Sequence, residues 1–327
     1  MRFILRRLGF FALTLWVCMT LNFLLPRLMP GNPALAMMGR FHGRLNPAAL
    51  KSLEVAYGVN THASLPSQYV RYIGDLATGK LGTSITFFPQ PVSQVVLNAI
   101  PWTLGLLGVT TILAFLLGTL IGIVGAWRRG GWLDSFLPPI FIITSAIPYF
   151  WLGMLLIIVF AVKLKWLPFA FSYDTTLAPS LSWSFISNVI EHGILPAAAI
   201  LITYIGGWIL TMRNTMITTL SEDYIRMARA KGLSGKRIMF DYAARNAILP
   251  NLSGFAMSLG FVVSGAVLVE YVFNYNGVGN LLIQALDAED YPLLQALFLL
   301  ITVAVLLAIL LADVATALLD PRTRAAR

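Results

Sequence analysis

Residues able to do acid–base, metal or phosphate chemistry are few and scattered in this 327-residue chain, and only one cluster stands out. The stretch EDYIRMARAKGLSGKRIMFDYAARNAILP, residues 222 to 250, carries Glu222, Asp223, Arg226, Arg229, Lys231, Lys236, Arg237, Asp241 and Arg245, although the whole sequence has only 23 basic and 14 acidic residues. Charge at that density marks a face that meets water or a soluble partner. Its GLSGKR segment is not a phosphate loop, because the glycine-to-lysine spacing is wrong and no hydroxyl residue follows Lys236. His42, His62 and His192 are isolated, with no H-E-x-x-H pattern, so the sequence offers no zinc enzyme. Cys18 stands alone, which excludes an internal disulfide and a multi-cysteine metal site. Only Glu270 and Asp313 come near membrane depth, both at predicted helix ends. That scarcity argues against an intramembrane aspartyl protease and against an ion-coupled transporter. A scaffold, a channel, or a translocation subunit powered by another protein remains.

The elements that must position the cluster are set by composition. With 58% hydrophobic and 11% charged residues and a mean hydropathy of +0.78, the chain has the make-up of a membrane protein. The net charge of +9 is spread in short clusters between apolar runs, not along a basic and aromatic groove, so nucleic acid is not the partner. Crossing the hydrocarbon as a helix takes about 20 apolar residues. Six runs qualify, roughly 8 to 26, 100 to 126, 135 to 162, 193 to 212, 250 to 269 and 291 to 312, and they predict an all-α membrane protein with six transmembrane helices. The first run follows Arg6 and Arg7 but is too long for a signal peptide and reads as a retained span.

Positive charge sets the expected orientation. With both termini cytoplasmic, the inside segments hold Arg2, Arg6, Arg7, Arg128, Arg129, Arg213, Arg226, Arg229, Lys231, Lys236, Arg237, Arg245, Arg322, Arg324 and Arg327. The longer outside segments keep only Arg27, Arg40, Arg44, Lys51, Arg71, Lys80, Lys163 and Lys165. The chain then divides into 1–95, the first helix with a long external segment, and 96–320, a core of helices 2 to 6 whose cytoplasmic loop is 213–250. Within the external segment, NPAALKSLEVAYG predicts one short helix capped by Asn46, and the whole reads as a lid or packing element. Ala114, Gly118, Gly122 and Ala126, and again Ala256, Gly260 and Ser264, form small-residue stripes for close helix approach, within this subunit or against a partner.

Around the charged cluster, SEDYIRMARAKG reads as an amphipathic helix with Ser221 as cap, acids in its first turn, bases in its last and Gly232 as stop. Ser234 restarts a second helix running toward Asn246, and Pro250 opens the next span. Tyr224, Met227, Ala228 and Lys231 share one face with a small residue at its centre, a shape for a protein groove. Resting on anionic lipid is the alternative. In the third run, Pro148 breaks the helix beside Ser145, which makes Ser145, Pro148 and Trp151 pathway candidates; a kink serving only packing is the other reading.

At these residues the sequence resembles a known family. DYIRMARAKG followed by ARNAILP is similar to the cytoplasmic coupling loop, the E-A-A loop, of ATP-binding-cassette (ABC) importer permeases, in the form of the dipeptide, oligopeptide and nickel branch. Arg226, where the wider superfamily has Glu, and the long interval from Gly232 to Pro250 both fit that branch. LRRLG, MPGNP, SAIPYFWLGM, GAVLVEYVF with GVG and ALDAEDYP, and DPRTR extend the resemblance over nearly the whole chain, while Asn276 departs from a common Pro. The resemblance implies the type I ABC importer permease fold, in a multi-pass protein of the plasma or inner membrane. It implies three kinds of partner besides lipid bilayer: a second homologous permease, two cytosolic ATPase subunits, and an extracytoplasmic solute-binding protein. It assigns ATPase coupling to Asp223, Tyr224, Met227, Ala228, Lys231 and Gly232, and a role at the outer gate to Glu270. No cofactor is expected on the chain itself; ATP and Mg belong to the ATPases, so the chain is expected not to be an enzyme. The implied cargo is di- or oligopeptide, with oligosaccharides such as cello-oligomers, or nickel, as alternatives in the same architecture. A stand-alone channel or membrane scaffold is the more distant alternative.

Overall fold

A computed structural model of the chain describes residues 2–28, 64–262 and 266–319, and these are helical almost throughout. Helix α1 spans Arg2–Leu28, α2 Leu65–Ala77, α3 Val92–Thr103, α4 Val109–Trp127, α5 Trp132–Ala146, α6 Tyr149–Leu156 and α7 Trp183–Leu220. Helix α8 spans Asp223–Ala230, α9 Gly235–Arg237, α10 Arg245–Ala247, α11 Leu249–Phe261, α12 Val267–Val272, α13 Val278–Asp287 and α14 Tyr291–Leu319. Among the described residues four helical runs are long and apolar enough to cross a membrane, or five if α5 and α6, sharply bent at their junction, form one span. The expected run 250 to 269 is met by α11 and α12, each shorter than a span, with 263–265 between them outside the described residues. The fourth expected run is part of a longer helix, α7, which Ser182 caps by accepting from the Phe185 N–H at 3.3 Å. The helix expected from Asn46 lies outside the described residues, as does Ser264.

The chain forms two compact units. One comprises residues 1–103, 263–267 and 276–310. Its core is apolar side chains of α3, α13 and the start of α14, including Val92, Val96, Val278, Leu281, Leu293 and Leu297. Asn22 in α1 and Gln295 in α14 bind each other's backbone, the Asn22 amide donating to the Gln295 carbonyl at 2.7 Å and the Gln295 amide to the Asn22 carbonyl at 3.1 Å. Phe23 meets Tyr69 of α2 edge to face, with centroids 5.2 Å apart. The segment after α2 is therefore packed onto helices of this unit: Leu81 and Phe87 lie against its core.

The other unit comprises residues 104–262, 268–275 and 311–327. Its axis is the contact of α4 with α7. All four residues of the first small-residue stripe are buried, Ala114 and Ala126 almost completely. A methyl group at Gly118 would stand 2.5 Å from Trp208 Cβ, and one at Gly122 2.7 Å from Met212 Cβ and 2.8 Å from the Ile209 carbonyl. The stripe is thus used inside this subunit, where the two backbones touch. Asn251 of α11 ties the pair together, its amide donating to Thr119 Oγ1 and to the Trp208 carbonyl, both at 3.2 Å. Arg213 in α7 forms an ion pair with Asp134 at the start of α5, and the same carboxylate accepts the Gly130 N–H.

Candidate functional site: a protruding helix and a broken span

The charged cluster folds as a helix, a tight reversal and a second helical segment. Ser221 does not cap the first of these; it ends α7, and its hydroxyl donates to the Thr218 carbonyl at 2.6 Å. Glu222, in extended backbone, occupies the cap position of α8. The helix stops as the sequence predicts. Gly232 has φ +74°, its N–H donates to the Arg229 carbonyl at 2.9 Å, and the Leu233 N–H reaches back to Ala228 at 3.3 Å. This paired closure satisfies carbonyls that a helix end leaves open, and glycine takes the left-handed conformation without strain. Ser234, again extended, starts α9, which continues through a π-helical turn, Ile238–Ala244, into α10. Asn246 locks the two segments, its amide donating to the Tyr224 hydroxyl at 3.1 Å and to the Tyr242 carbonyl at 3.0 Å.

One assignment of face is corrected. Ala228 is not the centre of an outward surface but is 3% exposed, packed with Ile225, Ile238, Ala243, Ala244 and Ala247 of its own chain. The reason is steric: alanines on both segments let the backbones approach, so the smallest residue of α8 turns inward. Asp223, Tyr224, Met227 and Lys231 remain accessible, Met227 at 58%. Arg226 stands beside Asp223 at 3.3 Å, an exposed pair of little energetic weight. Around α8 the protein thus offers an apolar methionine ringed by charges, on a base of two segments packed and hydrogen-bonded to each other.

Glu270, placed by the sequence at a helix end and by the resemblance at the outer gate, is not exposed to solvent. It is completely buried in α12, and its backbone carbonyl accepts the Tyr275 N–H at 2.7 Å. Burial pushes the Tyr275 phenol up, with the Glu270 charge adding to the effect. The following turn is held from outside by the Phe171 N–H, which donates to the Phe273 carbonyl at 2.9 Å, while His192 Nδ1 lies 2.9 Å from the Ala170 carbonyl.

The third run is broken where Pro148 predicts. Helix α5 ends at Ala146, Ile147 is extended at φ −84°, ψ 125°, and Pro148 (φ −58°, ψ 129°) starts α6. The break opens a cavity of about 440 Å³ lined by Ser145, Ile147, Pro148, Tyr149, Thr203 and Tyr204. Of the three expected pathway residues it collects Ser145 and Pro148 but not Trp151, which is exposed elsewhere. Tyr149, Thr203 and Tyr204 escaped the sequence reading, since hydroxyl residues on an apolar helix carry no spacing signal of their own.

A polytopic helical protein with a charged helix–turn–helix segment on one loop and a broken helix beside a polar cavity has the make-up of a membrane-embedded transport subunit. The chain belongs to the family of binding-protein-dependent transport system inner membrane components, whose model matches residues 118–325; the model of the family's N-terminal component matches 1–106. Its fold is that of a type I ABC importer permease, and it is a multi-pass inner-membrane protein. It is 34% identical to the di/tripeptide transport system permease protein DppB of Pseudomonas aeruginosa (strain UCBPP-PA14), over 98% of each chain. It is 33% identical to the oligopeptide transport system permease protein AppB of Bacillus subtilis (strain 168), over 92% of each. The probable D,D-dipeptide transport system permease protein DdpB of Escherichia coli (strain K12) is 32% identical over 94% of this chain and 92% of that one.

Proposed function

We propose that this permease forms, with a second homologous permease, the path by which an ABC importer brings di- or oligopeptides into the cell. The observation that carries the reading is the end-to-end similarity to permeases named for di/tripeptide and oligopeptide transport. In this reading both termini are cytoplasmic, the 213–250 loop faces the cytosol, and α8 docks in a groove of one of two ATPases. Nucleotide-driven closure of the ATPases swings the protrusion and switches the path between its outward and inward forms. An extracytoplasmic binding protein delivers the solute. The chain itself hydrolyses nothing, because ATP and Mg are held by the ATPases.

The test joins binding to flux. The cognate binding protein is titrated with tri-alanine, cellotriose and nickel, and the reconstituted complex is assayed for ATP-driven uptake of each. Tri-alanine should bind and be imported, while the permease alone should show neither ATP hydrolysis nor flux. Selective binding and import of cellotriose or nickel would overturn the peptide reading. Flux through the permease alone would overturn the importer reading.

A further inference from the structure

Pro148 lies at the middle of the apolar run 135 to 162, so the break in that run sits near the bilayer midplane. Non-helical backbone at such a depth is tolerated only where it is buried in protein or lines a wet cavity. Here a cavity is present. Ser145, Ala146 and Pro148 are exposed at it. Proline supplies no N–H, the Ile147 N–H turns back to the Thr144 carbonyl at 3.2 Å, and the Trp151 and Leu152 N–H groups both go to the Pro148 carbonyl. Among the described residues no hydrogen bond ends on the carbonyls of Ala146 or Ile147. Two strong acceptors are therefore left to a solvent or a solute.

The remaining lining is neutral and amphoteric. The hydroxyls of Tyr149, Tyr204, Ser145 and Thr203 can each accept; Ser145 already has a partner within the protein and Thr203 donates to the Ala199 carbonyl at 2.9 Å, so the donors are those of the two tyrosines. The Tyr149 and Tyr204 rings stand 6.2 Å apart, Tyr204 half exposed, and give the cavity an apolar wall. Among the described residues no charged side chain lines it. Among the described residues no His, Cys or carboxylate is there either, so a transition-metal cation would meet none of the side-chain ligands it favours. The volume falls in the range of about 300–1,000 Å³ typical of small-molecule sites.

We infer that the cavity at the Pro148 break is a water-filled station of the solute path that binds the amide backbone of a passing peptide. The inference rests on the peptide reading above and adds the place and the chemistry of contact. Peptides of different sequence share alternating N–H donors and C=O acceptors, and free carbonyls beside hydroxyls complement both. Because the lining is uncharged, acidic, basic and apolar side chains are accepted alike. Binding there is weak enough to release, since each neutral hydrogen bond replaces one with water.

The experiment uses the complete complex in proteoliposomes, with the permease carrying Ser145→Cys in a Cys18→Ser background. A small, charged methanethiosulfonate reagent should modify Cys at position 145, and saturating tri-alanine during ATP-driven turnover should slow that modification, while cellotriose should not. Tyr204→Phe should raise the KM for tri-alanine uptake about threefold to tenfold, with the binding protein's own affinity unchanged. Modification without protection by tri-alanine, in a complex that imports tri-alanine normally, would overturn this inference and leave the peptide function standing. No modification at all would mean a dry cavity and would equally overturn it. Failure of the unmodified complex to import tri-alanine would overturn the peptide reading, and this inference with it.

Discussion

The Ser84 hydroxyl donates to the Asp290 carboxylate at 2.5 Å, joining residues 206 positions apart, and both side chains are fully buried. The same Oδ2 accepts the Thr86 N–H at 2.8 Å, and Oδ1 accepts the Leu293 N–H at 3.2 Å, in the first turn of α14. Asp290 is therefore both the cap of the last helix and the anchor of the loop between α2 and α3. A buried carboxylate is tolerable only with such a set of donors. Asp290→Ala should lower stability by about 3 kcal/mol, and Ser84→Ala by about 1–2 kcal/mol. Thermal unfolding of the purified permease in detergent checks both. Combined, the two changes should cost less than their sum, because each removes part of one network.

The α4 and α7 contact gives a sharper contrast. Gly122→Ala would press a methyl into Met212 Cβ and the Ile209 carbonyl, whereas Gly125→Ala, two residues before the end of α4, meets no atom within 4 Å. Backbone cannot yield as a flexible side chain does, so Gly122→Ala should cost about 1–3 kcal/mol and reduce the amount of monodisperse permease recovered from membranes. Gly125→Ala should match the wild type. Equal recovery of the two variants would show that the helices pack otherwise.

What the sequence made legible follows the range of the forces involved. Gly232, Ser234, Pro148 and Pro250 act through their own backbone, and the helix stop, the restart, the break and the opening of α11 are found at those residues. The side to which Ala228 turns depends on Ala243, Ala244 and Ala247 in another segment, and no local pattern reveals it. Glu270 is legible only as a carboxylate at a predicted helix end, to which the resemblance adds a role at the outer gate; its burial depends on the fold around α12.

Topology gives a direct check on the charge distribution. Ser67 at the start of α2 and Ser234 before α9 are both exposed, so single cysteines there should react fully in a Cys18→Ser background. In intact cells an impermeant maleimide should label Ser67→Cys alone, and Ser234→Cys should label only after the cytoplasmic face is opened. Labelling of Ser234→Cys alone would reverse the orientation drawn from the positive residues, and labelling of both from outside would overturn the six-span topology itself.

The inward position of Ala228 changes what a coupling test must use. Ala228→Glu would bury an uncompensated carboxylate among Ile225, Ile238 and Ala244, at a cost of several kcal/mol, so it should unfold the protrusion or the permease itself. Loss of ATPase binding in that variant would say nothing of a docking face. Met227 is the informative position, being 58% exposed on the outward side between Asp223 and Lys231. Met227→Glu should leave unfolding temperature and membrane insertion unchanged. If α8 enters an ATPase groove, a charge there should cut co-purification of the ATPases at least tenfold and abolish uptake, the cost of a buried unpaired carboxylate being above about 1.4 kcal/mol. Gly232→Val, strained at φ +74°, should weaken both more mildly through the helix end. A helix that merely rests on anionic lipid would tolerate Met227→Glu and respond instead to loss of Arg229 and Lys231. Retention of both ATPases with normal uptake in Met227→Glu would remove α8 from the coupling path.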